Sequence, residues 1–155
     1  QIPFQYSLHY IESEGGALQH KEFLAQPGTD PRRALAEQLC EDIPFGVCTT
    51  AYNKQFECGR IRELAALYPD LAPHLLNIES NIVDLLIPFQ SGYYYNRAMG
   101  GSFSIKSVLP AIFPDDPVFF KQASRSVAIR PVLPRPQTVL ICNTFMAECP
   151  PIFPV

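Results

Sequence analysis

The chain has 155 residues, 47% of them hydrophobic and 17% charged, a balance that can bury one sizeable core and excludes a disordered polyelectrolyte. A formal net charge of −3 and a pI near 5.6 exclude a global positive field, so a nucleic-acid partner would have to be met by a local basic patch or by metal ions. Five dispersed cysteines (Cys40, Cys48, Cys58, Cys142, Cys149) with no CxxC pair argue against a zinc ribbon or a disulfide framework and for a reducing cytoplasmic setting.

No run reaches the roughly 18 apolar residues of a membrane span, and no basic segment leads into an apolar signal core, so no membrane association is expected. The chain begins at Gln1 and enters a strand-like pattern almost at once, which reads as a piece of a longer protein with additional domains.

In FQYSLHYI, Phe4, Tyr6, Leu8 and Tyr10 alternate with Gln5, Ser7, His9 and Ile11, the period of a half-buried strand. ALQHKEFLA returns after Gly15 and Gly16, so residues 3–25 read as an antiparallel hairpin. TDPRRALAEQLCEDI places Asp30 at an N-cap and Pro31 at the first helical position, with Leu35, Ala36, Leu39, Cys40 and Ile43 as the apolar stripe. GVCTTAY is a short β-branched strand, and Asn53 ends it and caps the next helix.

On that helix Ile61, Leu64, Ala65 and Tyr68 form one stripe, and Glu57 falls inside it at about 100° per residue. A carboxylate aimed at the core costs several kcal/mol unless it is protonated, paired or bound to a cation. DLAPHLLNIES reads as a short helix, NIVDLLIPF as a buried strand or extended segment around Asp84, and GSFSIKSVLPAIF as a helix ending at Pro110. The last 42 residues hold eight prolines and, after Asp116, a single acid, Glu148. No ordinary helix fits there, although TVLICNTF has the pattern of a strand.

Several of these residues carry two readings. Asn53 and Glu57 lie four apart just beyond a strand, where catalytic groups of open α/β sheets often sit; as a plain cap and a dipole-complementing acid they need no function. His9, His20 and His74 are dispersed and read as structural, and Cys58 as a small buried hydrophobe. Asp84 is either a hydrogen-bonded structural acid or the second carboxylate of a site. SGYYYNRAMGGSFSIKSVLP joins three tyrosines to Arg97 and Lys106, a composition that suits stacked bases and phosphates of a single strand as well as it suits a packed surface loop.

Taken in order, IPFQYSLHYI, HKEFLAQPGTDPR, AYNKQFECGRIRELA, IVDLLIPF and GGSFSIKSVLPAIFP resemble a bacterial family, domain of unknown function 2779, among the DnaQ-like (RNase H-fold) 3′–5′ exonucleases. The resemblance runs to about residue 116. It implies an α/β fold with an RNase H-like mixed sheet flanked by helices, here lacking the opening strand, followed over 117–155 by an irregular proline-rich tail. It implies phosphodiester hydrolysis of DNA or RNA with two Mg²⁺ or Mn²⁺ ions about 3.5–4 Å apart, held by about four carboxylates. Glu57 then matches the metal-ligand acid of the second exonuclease motif, with Asn53 and Phe56 before it, although the superfamily normally has Asp there. Ser104 and Lys106 match a substrate-contacting SxK segment, and Asp84 an additional acid.

The departures are equally definite. The Asp-x-Glu of the opening strand would lie upstream of Gln1, and the late Asp of the final motif has no match. The isolated chain is therefore expected to be inactive. Loss of the opening strand predicts unpaired edges at the centre of the sheet, unless TVLICNTF pairs into the gap. The change of character after Asp116 reads as a frameshifted or otherwise non-homologous end. The alternative to a nuclease fragment is a non-catalytic nucleic-acid-binding or scaffolding module of the same fold.

Overall fold

The computed structural model describes residues 2–13 and 15–115, together with the backbone of 138–142. The alternating N-terminal segments pair as β1 (Gln5–Ile11) and β2 (Gln19–Leu24), antiparallel, with Gln5 opposite Leu24 and His9 opposite His20. Tyr6 and Leu8 point to the core side, as the alternation requires. Gly15, at φ 75°, supplies a left-handed residue in the connection.

The first helix, α1, spans Arg32–Asp42, one residue later than the Asp30 cap implies. Pro31 takes the half-helical position, while the Asp30 carboxylate still accepts the Arg32 backbone N–H at 3.1 Å. Strand β3 (Cys48–Ala51) then leads into α2 (Gln55–Leu67), and α3 (Ala72–Ser80) leads into β4 (Ile82–Asp84). Leu35, Ala36 and Leu39 of α1, Ile61 and Leu64 of α2, and Leu75 and Ile78 of α3 meet Tyr6, Leu8 and Ala51 in one core.

Two segments depart from their expected form. LIPF does not continue β4: it folds into the single-turn α4 (Ile87–Gln90), because Asp84 accepts the Leu86 N–H at 2.9 Å and bends the chain out of the ladder. The last helix, α5 (Ile105–Ile112), runs through Pro110 instead of stopping there. Only two residues follow the proline, and the Phe113 N–H closes the final turn onto Leu109 at 2.9 Å. Between α4 and α5 a 3₁₀ turn, Arg97–Met99, packs Met99 against Val108 and Ala111 as a second, smaller core.

The fifth strand, β5 (Thr138–Cys142), lies at the middle of the sheet, in the order β2-β1-β5-β3-β4. It runs antiparallel to β1, with His9 opposite Leu140, and parallel to β3, with Thr50 opposite Leu140. The expected gap between the hairpin and the parallel strands is thus filled by the first five residues of TVLICNTF, and the prediction of unpaired central edges is corrected. The rest of the proline-rich tail, 116–137 and 143–155, lies outside the described residues. Among the described residues no helix is long and apolar enough to cross a membrane.

Candidate functional site

Glu57 sits in the first turn of α2, immediately beyond the C-terminal end of β3. Its side chain is 2% exposed, and neither carboxylate oxygen has a hydrogen-bond partner among the described residues. Together with Tyr6, Leu35, Leu39, Arg60 and Ile61 it lines a small cavity with about 20 Å³ of space for the centre of a water molecule, enough for one. The Arg60 guanidinium pairs with Glu63 at 2.6 Å and lies over the Phe56 ring.

Burial therefore dominates the titration of Glu57. Its pKa is pushed up to about 7, with the negative charge of Asp84 adding to the effect and its own backbone N–H opposing it. A carboxyl group that exchanges its proton near neutrality is a competent acid or base. Of the other cavity-lining residues Tyr6 carries a hydroxyl, and it donates to the Asp42 carboxylate at 2.6 Å.

The other sequence-derived candidates are distributed differently. Asn53 is exposed and does not cap α2 through its side chain; it sits in the left-handed region at φ 64°. The cap expected of it comes instead from Asp84, whose carboxylate accepts the N–H groups of Asn53 at 2.9 Å and Lys54 at 3.2 Å. The Leu86 N–H at 2.9 Å is a third backbone donor to Asp84. Ser104, the N-cap residue of α5, and Lys106 in its first turn are both exposed.

A divalent ion needs several converging oxygen ligands. Among the described residues no group of three or more His, Cys, Asp or Glu side chains is placed to hold a metal ion. Glu57, one carboxylate among largely apolar walls, does not make a centre by itself, so the described residues supply at most one ligand of the expected two-metal site.

Two arrangements escaped the sequence. His9 and His20 are not dispersed: the hairpin register puts their rings 4.6 Å apart, with Ser7 Oγ 2.8 Å from His20 Nε2. Burial and the neighbouring His20 hold His9 below the usual histidine range. The turn's exact centre fixes that register, and a Gly-Gly pair leaves it open by a residue or two. Tyr52 and Phe89 were also missed. They join Tyr94 in a chain of ring contacts at 6.2 and 5.6 Å, and the Tyr52 hydroxyl donates to the Phe103 carbonyl. Their aromatic character was visible in the sequence, but their proximity depends on how α4 folds back.

A family model described as Domain of unknown function (DUF2779) matches residues 1–104 of the 155. No curated protein and no solved structure matches the chain.

Proposed function

The chain belongs to the DUF2779 family, and we propose that its α/β scaffold is part of an RNase H-like, DnaQ-like nuclease domain in which Glu57 is one of the carboxylates of a Mg²⁺ or Mn²⁺ site. The observation that carries this reading is the buried, unpartnered carboxylate in the first turn of the helix after β3. A side chain placed there without a partner costs stability, and such a cost is characteristic of a position kept for a function. The sheet order supports the reading as well: an antiparallel hairpin and a parallel pair are joined across a central strand, the arrangement an RNase H-like sheet requires.

Because the described residues supply one carboxylate of about four, the isolated chain is proposed to be inactive, with the remaining ligands coming from outside the described residues. Ser104, Lys106 and Asn53, all exposed, are the proposed contacts to DNA or RNA.

The second reading, a binding module without catalysis, is favoured by the absence of a metal-holding cluster among the described residues. A Mn²⁺-dependent nuclease assay on the longest natural polypeptide containing this sequence separates the two, with Glu57→Gln beside wild type. The nuclease reading expects a loss of at least about 100-fold, the scale of losing an electrostatic contribution to the transition state. Equal activity would remove Glu57 from the mechanism, and no activity in either would leave the binding module.

A further inference from the structure

We propose that the segment from Phe89 to Lys106 is a stacking platform for unpaired nucleotides. The inference deepens the nucleic-acid reading above and does not depend on catalysis. Tyr93 and Tyr95, on either side of Tyr94, are 83% and 65% exposed, which leaves two aromatic rings of one loop open to solvent. Phe103 is also exposed.

The loop that presents them is held at both ends. The Tyr94 N–H bonds the Pro88 carbonyl at 3.0 Å, and the Phe89 ring packs against Tyr52 on one side and Tyr94 on the other. At the far end Asn96 accepts the Ala98 N–H at 2.9 Å and donates to the Ala111 carbonyl at 3.1 Å, tying the loop to α5. A backbone held in this way spares part of the ordering cost when a planar ligand stacks on the exposed rings.

Charge selects the ligand. Arg97 directly follows the loop and Lys106 lies three residues beyond Phe103; both are exposed, and neither has an acidic partner among the described residues. Exposed aromatic rings close in sequence to exposed cations without an acidic partner among the described residues, on a chain whose net charge is −3, fit a ligand that brings both planar rings and negative charge. Bases inside a duplex do not offer their faces, so the ligand is single-stranded.

The test is fluorescence anisotropy with a labelled oligothymidylate of about 12 nucleotides, titrated with the whole chain in EDTA, beside a duplex of the same length. Wild type is expected to bind the single strand more tightly than the duplex. Tyr93→Ala combined with Tyr95→Ala is expected to weaken binding at least about 10-fold, while the corresponding pair of Phe substitutions keeps it. Arg97→Gln with Lys106→Gln is expected to flatten the dependence of log affinity on log salt by about 1.4, two single-strand phosphate contacts.

Equal affinity of wild type and the alanine pair, or a preference for duplex, overturns the proposal. So does self-association of wild type that the alanine pair abolishes, with no oligonucleotide bound. Oligonucleotide binding by wild type, with no cleavage by the longer wild-type protein, would retire the nuclease reading alone. Glu57-dependent cleavage with the alanine pair fully active would retire the platform alone.

Discussion

The Asp84 carboxylate accepts the backbone N–H of Asn53 at 2.9 Å across a separation of 31 residues. The parallel register makes this contact, because Ala51 of β3 lies opposite Asp84 of β4 and the chain leaves β3 directly past the carboxylate. The acid that closes the short strand therefore also orders the entrance to the helix carrying Glu57. Its negative charge is felt there as well, adding to the upward shift of the Glu57 pKa.

Asp84→Ala should consequently do more damage than a surface substitution. It leaves three backbone donors, those of Asn53, Lys54 and Leu86, without their acceptor. The expected loss is about 1–3 kcal/mol, the scale of a lost cap together with partly desolvated amides. Asp84→Asn, which keeps an acceptor oxygen, should lose less. Urea unfolding of the three proteins measures the order, and an alanine variant as stable as wild type would contradict it.

Glu57 should make stability fall as pH rises. Its folded pKa, about 7, lies above the ordinary value of 4.5. Below the ordinary value both states are protonated and no penalty exists. Between the two values the unfolded chain releases its proton while the folded chain retains it, so stability declines with pH and levels off once the folded pKa is passed. The window amounts to about 3 kcal/mol. Glu57→Gln, a neutral isostere, should cancel the decline, so the variant gains on wild type between pH 5 and pH 8 in urea midpoints. A difference between the two proteins that stays constant over that range would be inconsistent with a buried, unpaired carboxyl group.

Asn53, left-handed and exposed, separates backbone from side-chain roles. Asn53→Gly should be neutral or stabilising by up to about 1 kcal/mol, since glycine adopts this conformation without steric cost. Asn53→Ala should cost about 1 kcal/mol. If the amide contacts nucleic acid, the glycine variant keeps its fold and loses affinity in the anisotropy assay. Thermal unfolding that ranks alanine above glycine would show that the left-handed turn is not retained.

Much of the frame around Glu57 is visible in the sequence because it is written in local periods. Tyr6 and Leu8 alternate with polar neighbours, Leu35 and Leu39 repeat at helical spacing, and Glu57 shares the stripe of Ile61 and Leu64. What could not be read depends on register between distant segments. Nothing near Asp84 says that its carboxylate will meet Asn53, and nothing near His9 says that it will face His20. LIPF has the apolar character of a buried strand, yet one side-chain bond from Asp84 to the Leu86 N–H turns it into a helix.

The central position of β5 gives the last prediction. Leu140 lies opposite His9 on one side and Thr50 on the other, so its amide belongs to one ladder or the other and has no solvent-facing alternative. Leu140→Pro removes that donor and places a proline ring in the middle of the sheet, where proline is essentially never tolerated. The hairpin and the parallel pair have β5 as their shared neighbour in the strand order, so its loss exposes an edge of β1 and an edge of β3 together. The expected cost is at least about 3 kcal/mol, read as a lower urea midpoint, with faster hydrogen exchange at Ser7–Ile11 and Cys48–Thr50. Unchanged exchange in those two strands would mean that they do not rely on β5, and the central pairing would have to be abandoned.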